Sequence, residues 1–152
     1  MWDQHAAPAI AALRAGKHVF LEKPMASTME DCDAIVEASR SASGHFMVGH
    51  ICRFNPRYAA TKKAVEEGRV GRIVSMYARR NLPAWVGASV LDKIGPIIGD
   101  GVHDTDLMLW MSGSRVVSAY AQTVQYRGHA NPDLGQVIDR KSTRLNSSHI
   151  TI

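Results

Sequence analysis

Gly16-Lys17-His18-Val19-Phe20-Leu21-Glu22-Lys23-Pro24-Met25-Ala26 is the stretch that decides the fold. An Ala-rich run from Asp3 to Ala15, good helix-forming sequence, stops at Gly16, which is placed to close it in a left-handed conformation. His18 to Glu22 then reads as a short apolar strand of the kind covered on both faces. Pro24 has no N–H for a sheet ladder, so the strand must stop there, with Glu22 and Lys23 at its carboxyl end. In open α/β sheets that end of the strands is where ligands bind.

Downstream, Ser27 with Glu30 has the spacing of a capping box and opens a second helix. Met29, Cys32, Ile35 and Val36 recur at helical spacing and are expected to face the sheet. Phe46 to His50 is the next strand, completing a strand–helix–strand unit. His50 to Phe54 reads as a hinge. Asn55-Pro56 is a cap and first-turn pair for a third helix ending at Gly68. A strand over Arg72–Arg80 follows. A loop rich in Gly and Pro is then expected to delay the next helix, GVHDTDLMLWMSG, until Gly101. Val116 to Tyr126 forms a long strand. Residues 140–152 show no periodicity and are expected to be an unstructured tail.

The composition, 45% apolar and 21% charged over 152 residues, is that of a globular protein. Three of the four net positive charges fall in the tail, at Arg140, Lys141 and Arg144, so no basic face for nucleic acid is expected. No apolar run reaches the ~18 residues of a membrane span, and the N-terminus lacks a signal-peptide pattern. Cys32 and Cys52 are too few for a disulfide framework, which points to a cytoplasmic location by default.

Together, AGKHVFLEKPMA and the later His-bearing segment GVHDTDLMLWM resemble the Gfo/Idh/MocA family of NAD(P)-dependent sugar and polyol dehydrogenases. The resemblance spans about residues 3 to 139. It implies an α/β fold: residues 1–50 as the C-terminal part of a Rossmann domain, and 51–139 as the start of an α/β substrate domain with a mostly antiparallel sheet. It also implies a fragment, because no GxGxxG turn for a pyrophosphate occurs in the sequence. A sugar or polyol substrate, NAD or NADP, and a homo-oligomer (dimer or tetramer at full length) are the implied partners.

Oxidising a secondary alcohol needs a nicotinamide close to the C–H and a base for the hydroxyl proton. The resemblance gives Lys23 the task of reaching the nicotinamide and the reacting hydroxyl. Glu22 and Pro24 shape that cofactor-binding segment, and the Lys-Pro bond is commonly cis in the family. His103 is the implied general base. At the first turn of its helix the dipole would favour the neutral imidazole, and Leu107 and Trp110, four and seven positions on, set the apolar stripe beside it.

Many relatives carry an aspartate four residues before this histidine. Here that position is Gly99, and Asp100 stands three before, rotated by about 100° on a helix. Asp100 is a candidate for catalysis and substrate binding, or else an N-terminal cap. Asp104 and Asp106 read as dipole partners. Arg53, in ICRFNP, is a candidate for cofactor contact or for tying the domains together. Trp85 and Lys93 are candidates for lining a sugar pocket.

Three other readings remain at this point. A metal site could draw on His50, Cys52, His103, Asp104 and Asp106, but no pair has zinc-finger spacing, and no metal is expected. The chain could be an inactive binding remnant. Or it could use transient oxidation by NAD to drive sugar elimination or hydrolysis.

Overall fold

Gly16 adopts φ +69°, and the N–H groups of Gly16 and Lys17 reach back to the carbonyls of Leu13 and Ala12. This left-handed closure ends helix α1 (Ala6–Arg14) and turns the chain into strand β1 (Val19–Leu21). The structure is a computed structural model that describes residues 4–141 and 147–151. The expected start of α1 at Asp3 lies outside the described residues. The chain divides into two compact units, Met1–His50 and Ile51–Ile152.

In the first unit, β1 pairs in parallel with β2 (Phe46–Val48), in the register Val19↔Phe46 to Leu21↔Val48. Helix α2 (Met29–Ser41) connects them. Its cap differs from expectation. Thr28, not Ser27, is the cap: its backbone is extended and its side chain accepts the Asp31 N–H at 3.1 Å, so the first helical residue is Met29. Met29 therefore lies at the very start of the helix and is 70% exposed instead of facing the sheet, whereas Ile35 is fully buried.

Ala9, Leu13, Ala26 and Ile35 form the core, with Val19, Leu21 and Phe46 packed on it. Side chains alternate across a strand, so Phe20 and Met47 point the other way and are exposed. Only one face of this two-stranded sheet is covered among the described residues, not both. At the amino end of the strands the His18 and His45 rings stack, and the His45 N–H donates to His18 Nδ1 at 2.9 Å. Just before His45, a methyl group at Gly44 would run into the Lys17 carbonyl. Gly44→Ala is therefore expected to destabilise the first unit by about 1–3 kcal/mol, read as a lower melting temperature by circular dichroism; an unchanged midpoint would show that the Lys17 turn yields freely.

The second unit opens with a 3₁₀ turn (Ile51–Phe54) and helix α3 (Pro56–Glu66). Here the sequence reading holds: the Asn55 side chain caps the Arg57 N–H at 3.0 Å, Pro56 takes the first turn, and Gly68 turns the chain out at φ +72°. Strand β3 (Ser75–Arg79) follows. The Gly/Pro-rich stretch after it is not a plain loop. It contains helix α4 (Ala84–Val90) and a π-helical turn (Ile97–Gly101) that runs directly into α5 (Val102–Ser112).

A four-stranded sheet completes the unit in the order β3-β6-β5-β4, with β4 (Val116–Val124), β5 (Leu134–Lys141) and β6 (Ser147–Thr151). β4, β5 and β6 pair antiparallel, while β3 and β6 run parallel. The expectation of an unstructured tail over 140–152 is thus corrected. Arg140 and Lys141 end β5, and 147–151 form an inner strand, because alternating backbone pairing with β5 on one side and β3 on the other needs no apolar period of its own. No helix among the described residues is long and apolar enough to cross a membrane.

Candidate active site

In the first unit the carboxyl ends of β1 and β2 lie side by side, and the Gly49 N–H donates to the Leu21 carbonyl at 2.7 Å. Glu22, Lys23 and Pro24 leave from this edge. The Lys23–Pro24 bond is cis. Pro24 is buried and Lys23 half-buried, while exposed Glu22 folds back to accept the Lys23 N–H at 3.1 Å. His5, at the start of α1, lies 2.9 Å from the Pro24 carbonyl through Nδ1. A carbonyl only accepts, so His5 must carry its proton on Nδ1. The sequence reading did not single out His5; nothing in its local pattern distinguishes a residue that pins a turn 19 positions away.

In the second unit His103 is buried at 7% exposure on α5. Gly101, the residue before α5, already has helical φ and ψ, because the π turn extends the helix backwards. His103 is therefore not at the free N-terminus, and the first-turn dipole argument loses force. Asp100 lies within the π turn instead of capping the helix. A π turn closes i→i+5, so each residue advances the helix by less than in an α turn, and the offset between Asp100 and His103 is not restored.

Asp100 instead lines a pocket of about 230 Å³ with Arg80, Asn81, Tyr126, Arg127 and His129. His103 is not among its lining residues. Trp85 is 76% exposed on α4 and, like Lys93, does not line the pocket, although Ala84 and Gly87 of the same helix do. A side chain at Gly99, where the family resemblance leads one to expect an aspartate, would press on Ile94 at 3.0 Å.

Asp104 and Asp106 turn out to be ion-pair partners, not dipole partners. Both are buried. Asp104 takes a two-pronged pair from Arg80, with Nε at 2.7 Å and Nη2 at 3.1 Å. Asp106 takes the same from Arg53, with Nε at 2.8 Å. These hydrogen bonds hold both guanidinium pKa values above the ordinary arginine value, outweighing the opposing effect of desolvation. Arg53 also lies over the Trp110 ring, whose backbone carbonyl accepts from Lys62 Nζ at 2.8 Å. Arg53 thus ties the 3₁₀ turn to α5 inside the second unit. Arg80 entered the sequence reading only as the end of a strand, not as a site residue: its partner lies 24 residues away, and no short-range spacing encodes that pair.

The loop between β4 and β5 forms one wall of the pocket and is tied down at several points. Asn131 Nδ2 donates to the Leu91 carbonyl at 2.7 Å, and Asp92 accepts from the Ala130 N–H at 3.2 Å. Asp133 accepts the N–H groups of Tyr126 and Arg127 at 2.8 and 3.0 Å, which lowers its pKa below the ordinary aspartate value. Among the described residues no three His, Cys, Asp or Glu side chains gather as metal ligands.

Comparison with known proteins accounts for both units. Residues 2–50 match the "Oxidoreductase family, NAD-binding Rossmann fold", and residues 58–142 match the "GFO/IDH/MocA C-terminal domain". The chain is 37% identical over 132 residues to inositol 2-dehydrogenase 2 of Saccharopolyspora erythraea, covering 86% of this chain and 38% of that one. It is 42% identical over 77 residues to 2,7-anhydro-N-acetylneuraminate hydratase of Escherichia coli, covering 51% of this chain and 21% of that one. An oxidoreductase domain protein from Kribbella flavida superposes with a TM-score of 0.90 at 26% identity, over 98% of this chain and 45% of that one.

The chain thus spans 38% of the inositol dehydrogenase it matches. For the NAD that the family binds, the edge carrying Lys23 and Glu22 offers a cation that donates and a carboxylate that accepts at the strand ends, chemistry compatible with the cofactor's polar groups. The sequence holds no glycine turn for the pyrophosphate. Matched along both units, the chain belongs to the Gfo/Idh/MocA family of NAD-binding oxidoreductases.

Proposed function

We propose that the protein carrying this chain is an NAD-dependent dehydrogenase of a sugar or polyol hydroxyl. The observation that carries this reading is the Glu22-Lys23-Pro24 segment at the carboxyl edge of a parallel strand pair, in a chain 37% identical to an inositol dehydrogenase. When bound, NAD supplies the hydride acceptor. Lys23 presents its ammonium to the reacting oxygen and orients it. His103, buried and therefore screened from bulk water, takes the hydroxyl proton as the carbonyl forms. Asp100 binds substrate from the pocket wall. Glu22, Pro24 and Arg53 complete the cofactor-binding set, and exposed Trp85, outside the pocket lining, offers an aromatic face to parts of a sugar that extend beyond the pocket. A cytoplasmic homo-oligomer accompanies this reading, supported by the apolar side chains Tyr120, Val124 and Ile138 left exposed on β4 and β5.

Similarity to a hydratase supports a second reading, in which hydride leaves and returns within one turnover to drive water addition. Incubation of the protein with NAD and a panel of neutral polyols and anhydro-sugars separates the two. Dehydrogenation accumulates NADH in step with a ketone product. Conversion of an anhydro-sugar with no net NADH would favour the hydratase reading, and no conversion of either class would overturn both.

A further inference from the structure

The pocket of the second unit contains one cation whose engagement is lopsided. Arg80 has five N–H donors, and Asp104 occupies two of them, on Nε and Nη2. The side chain is 26% exposed, and it lines the pocket beside Asp100 and Asn81. Asp104 is the residue next to His103 on α5. The guanidinium is therefore locked through Nε and Nη2 to the helix that carries the candidate base, and the same side chain lines the pocket.

The charge around it decides what it meets. Arg80 and Arg127 are matched in the lining by Asp100 and Asp133, and the positive charge of Arg80 is further offset by Asp104. A pocket with no excess positive charge has little to offset the desolvation of a carboxylate, but it rewards hydroxyl oxygens that accept from a fixed donor fork.

We propose that Arg80 is the substrate-orienting residue of this pocket, donating from the N–H groups that Asp104 does not take to neighbouring hydroxyl oxygens of a neutral polyol. This rests on the dehydrogenase reading. It adds a specificity residue that neither the Lys23 segment nor His103 supplies, and it selects neutral polyols over sugar acids. The Asp104 pair holds the fork in place before substrate arrives, so little order has to be created on binding.

The test must separate orientation from mere support, because Arg80→Met leaves Asp104 buried without its counter-ion. In the protein carrying this chain, Arg80→Met is compared with Arg80→Met/Asp104→Asn, which removes both partners, and with Arg80→Lys, which keeps the charge but not the fork. Three quantities are read: Tm, the KM and kcat for inositol with NAD, and calorimetric binding of inositol without NAD. Arg80→Met is expected to lower Tm and the double variant to recover most of it. All three variants should weaken inositol binding and raise KM by about 10- to 100-fold, the loss of one or two hydrogen bonds to a charged donor.

A double variant that regains wild-type KM and inositol binding along with its Tm would reduce Arg80 to a strut and overturn the proposal. So would tighter binding of glucuronate than of inositol to the wild type. If the wild type binds inositol through Arg80 but oxidises no polyol, the dehydrogenase reading fails while the orienting role stands.

Discussion

Removing the His103 imidazole is expected to lower turnover of a polyol by about 10²- to 10⁴-fold, the usual contribution of a positioned general base. The substitution needs care because His103 is buried. Alanine would open a cavity, so His103→Asn, closer in size and still polar, is the cleaner variant. Lys23→Met, which keeps the length of the stem and removes the ammonium, is expected to lose a comparable factor. Loss of a group needed only as charge develops lowers kcat and kcat/KM together. Steady-state kinetics with NAD and inositol check this, alongside Tm values to confirm folding. Wild-type kcat in both variants would remove the dehydrogenase assignment.

The second large effect concerns stability. Leu13→Ala is expected to cost about 3–5 kcal/mol, because Leu13 is fully buried and its removal leaves a cavity that the neighbours fill only partly. The core it leaves behind is small: Ala9, Ala26 and Ile35 are its other buried members. At about 0.05–0.15 kcal/mol per residue, a unit of this size has about that much stability in all. Hydrogen exchange should show β1 and β2 losing protection while β4 and β5 keep theirs. Equal loss across both sheets would mean that the two units unfold as one.

Much of the fold was legible where a single residue's backbone chemistry dictates the outcome. Gly16 and Gly68 stand at left-handed positions, Pro24 ends a strand, and Asn55-Pro56 starts a helix. Each is a local rule with little competition. The α/β class and the parallel strand pair followed from those marks and from the family resemblance. The failures are of two physical kinds. Thr28 and Ser27 are both competent caps one residue apart, and the choice shows only in the folded backbone, where Thr28 is extended and its side chain accepts the Asp31 N–H. Helix α4 and the π turn lie among glycines and prolines that disfavour helices by propensity, and contacts within the second unit override that preference.

The site divides the same way. The Lys23-Pro24 strand end and the His-bearing helix could be picked out in sequence. The pairing of Asp104 with Arg80 and of Asp106 with Arg53 could not, since it joins residues 24 and 53 positions apart. Their acidic character was read as helix-end chemistry, a local explanation for what is a long-range contact.

The insertion of β6 between β3 and β5 has a consequence during synthesis. β3 leaves the ribosome roughly seventy residues before the strand that pairs with it, while β1 finds β2 within about thirty. At 5–20 residues per second, the nascent chain carries β3 for several seconds with Tyr77 and both backbone edges unpaired. The first unit has time to close on its own before then. The waiting strand is the segment on which a chaperone, or a neighbouring chain on the same message, would act.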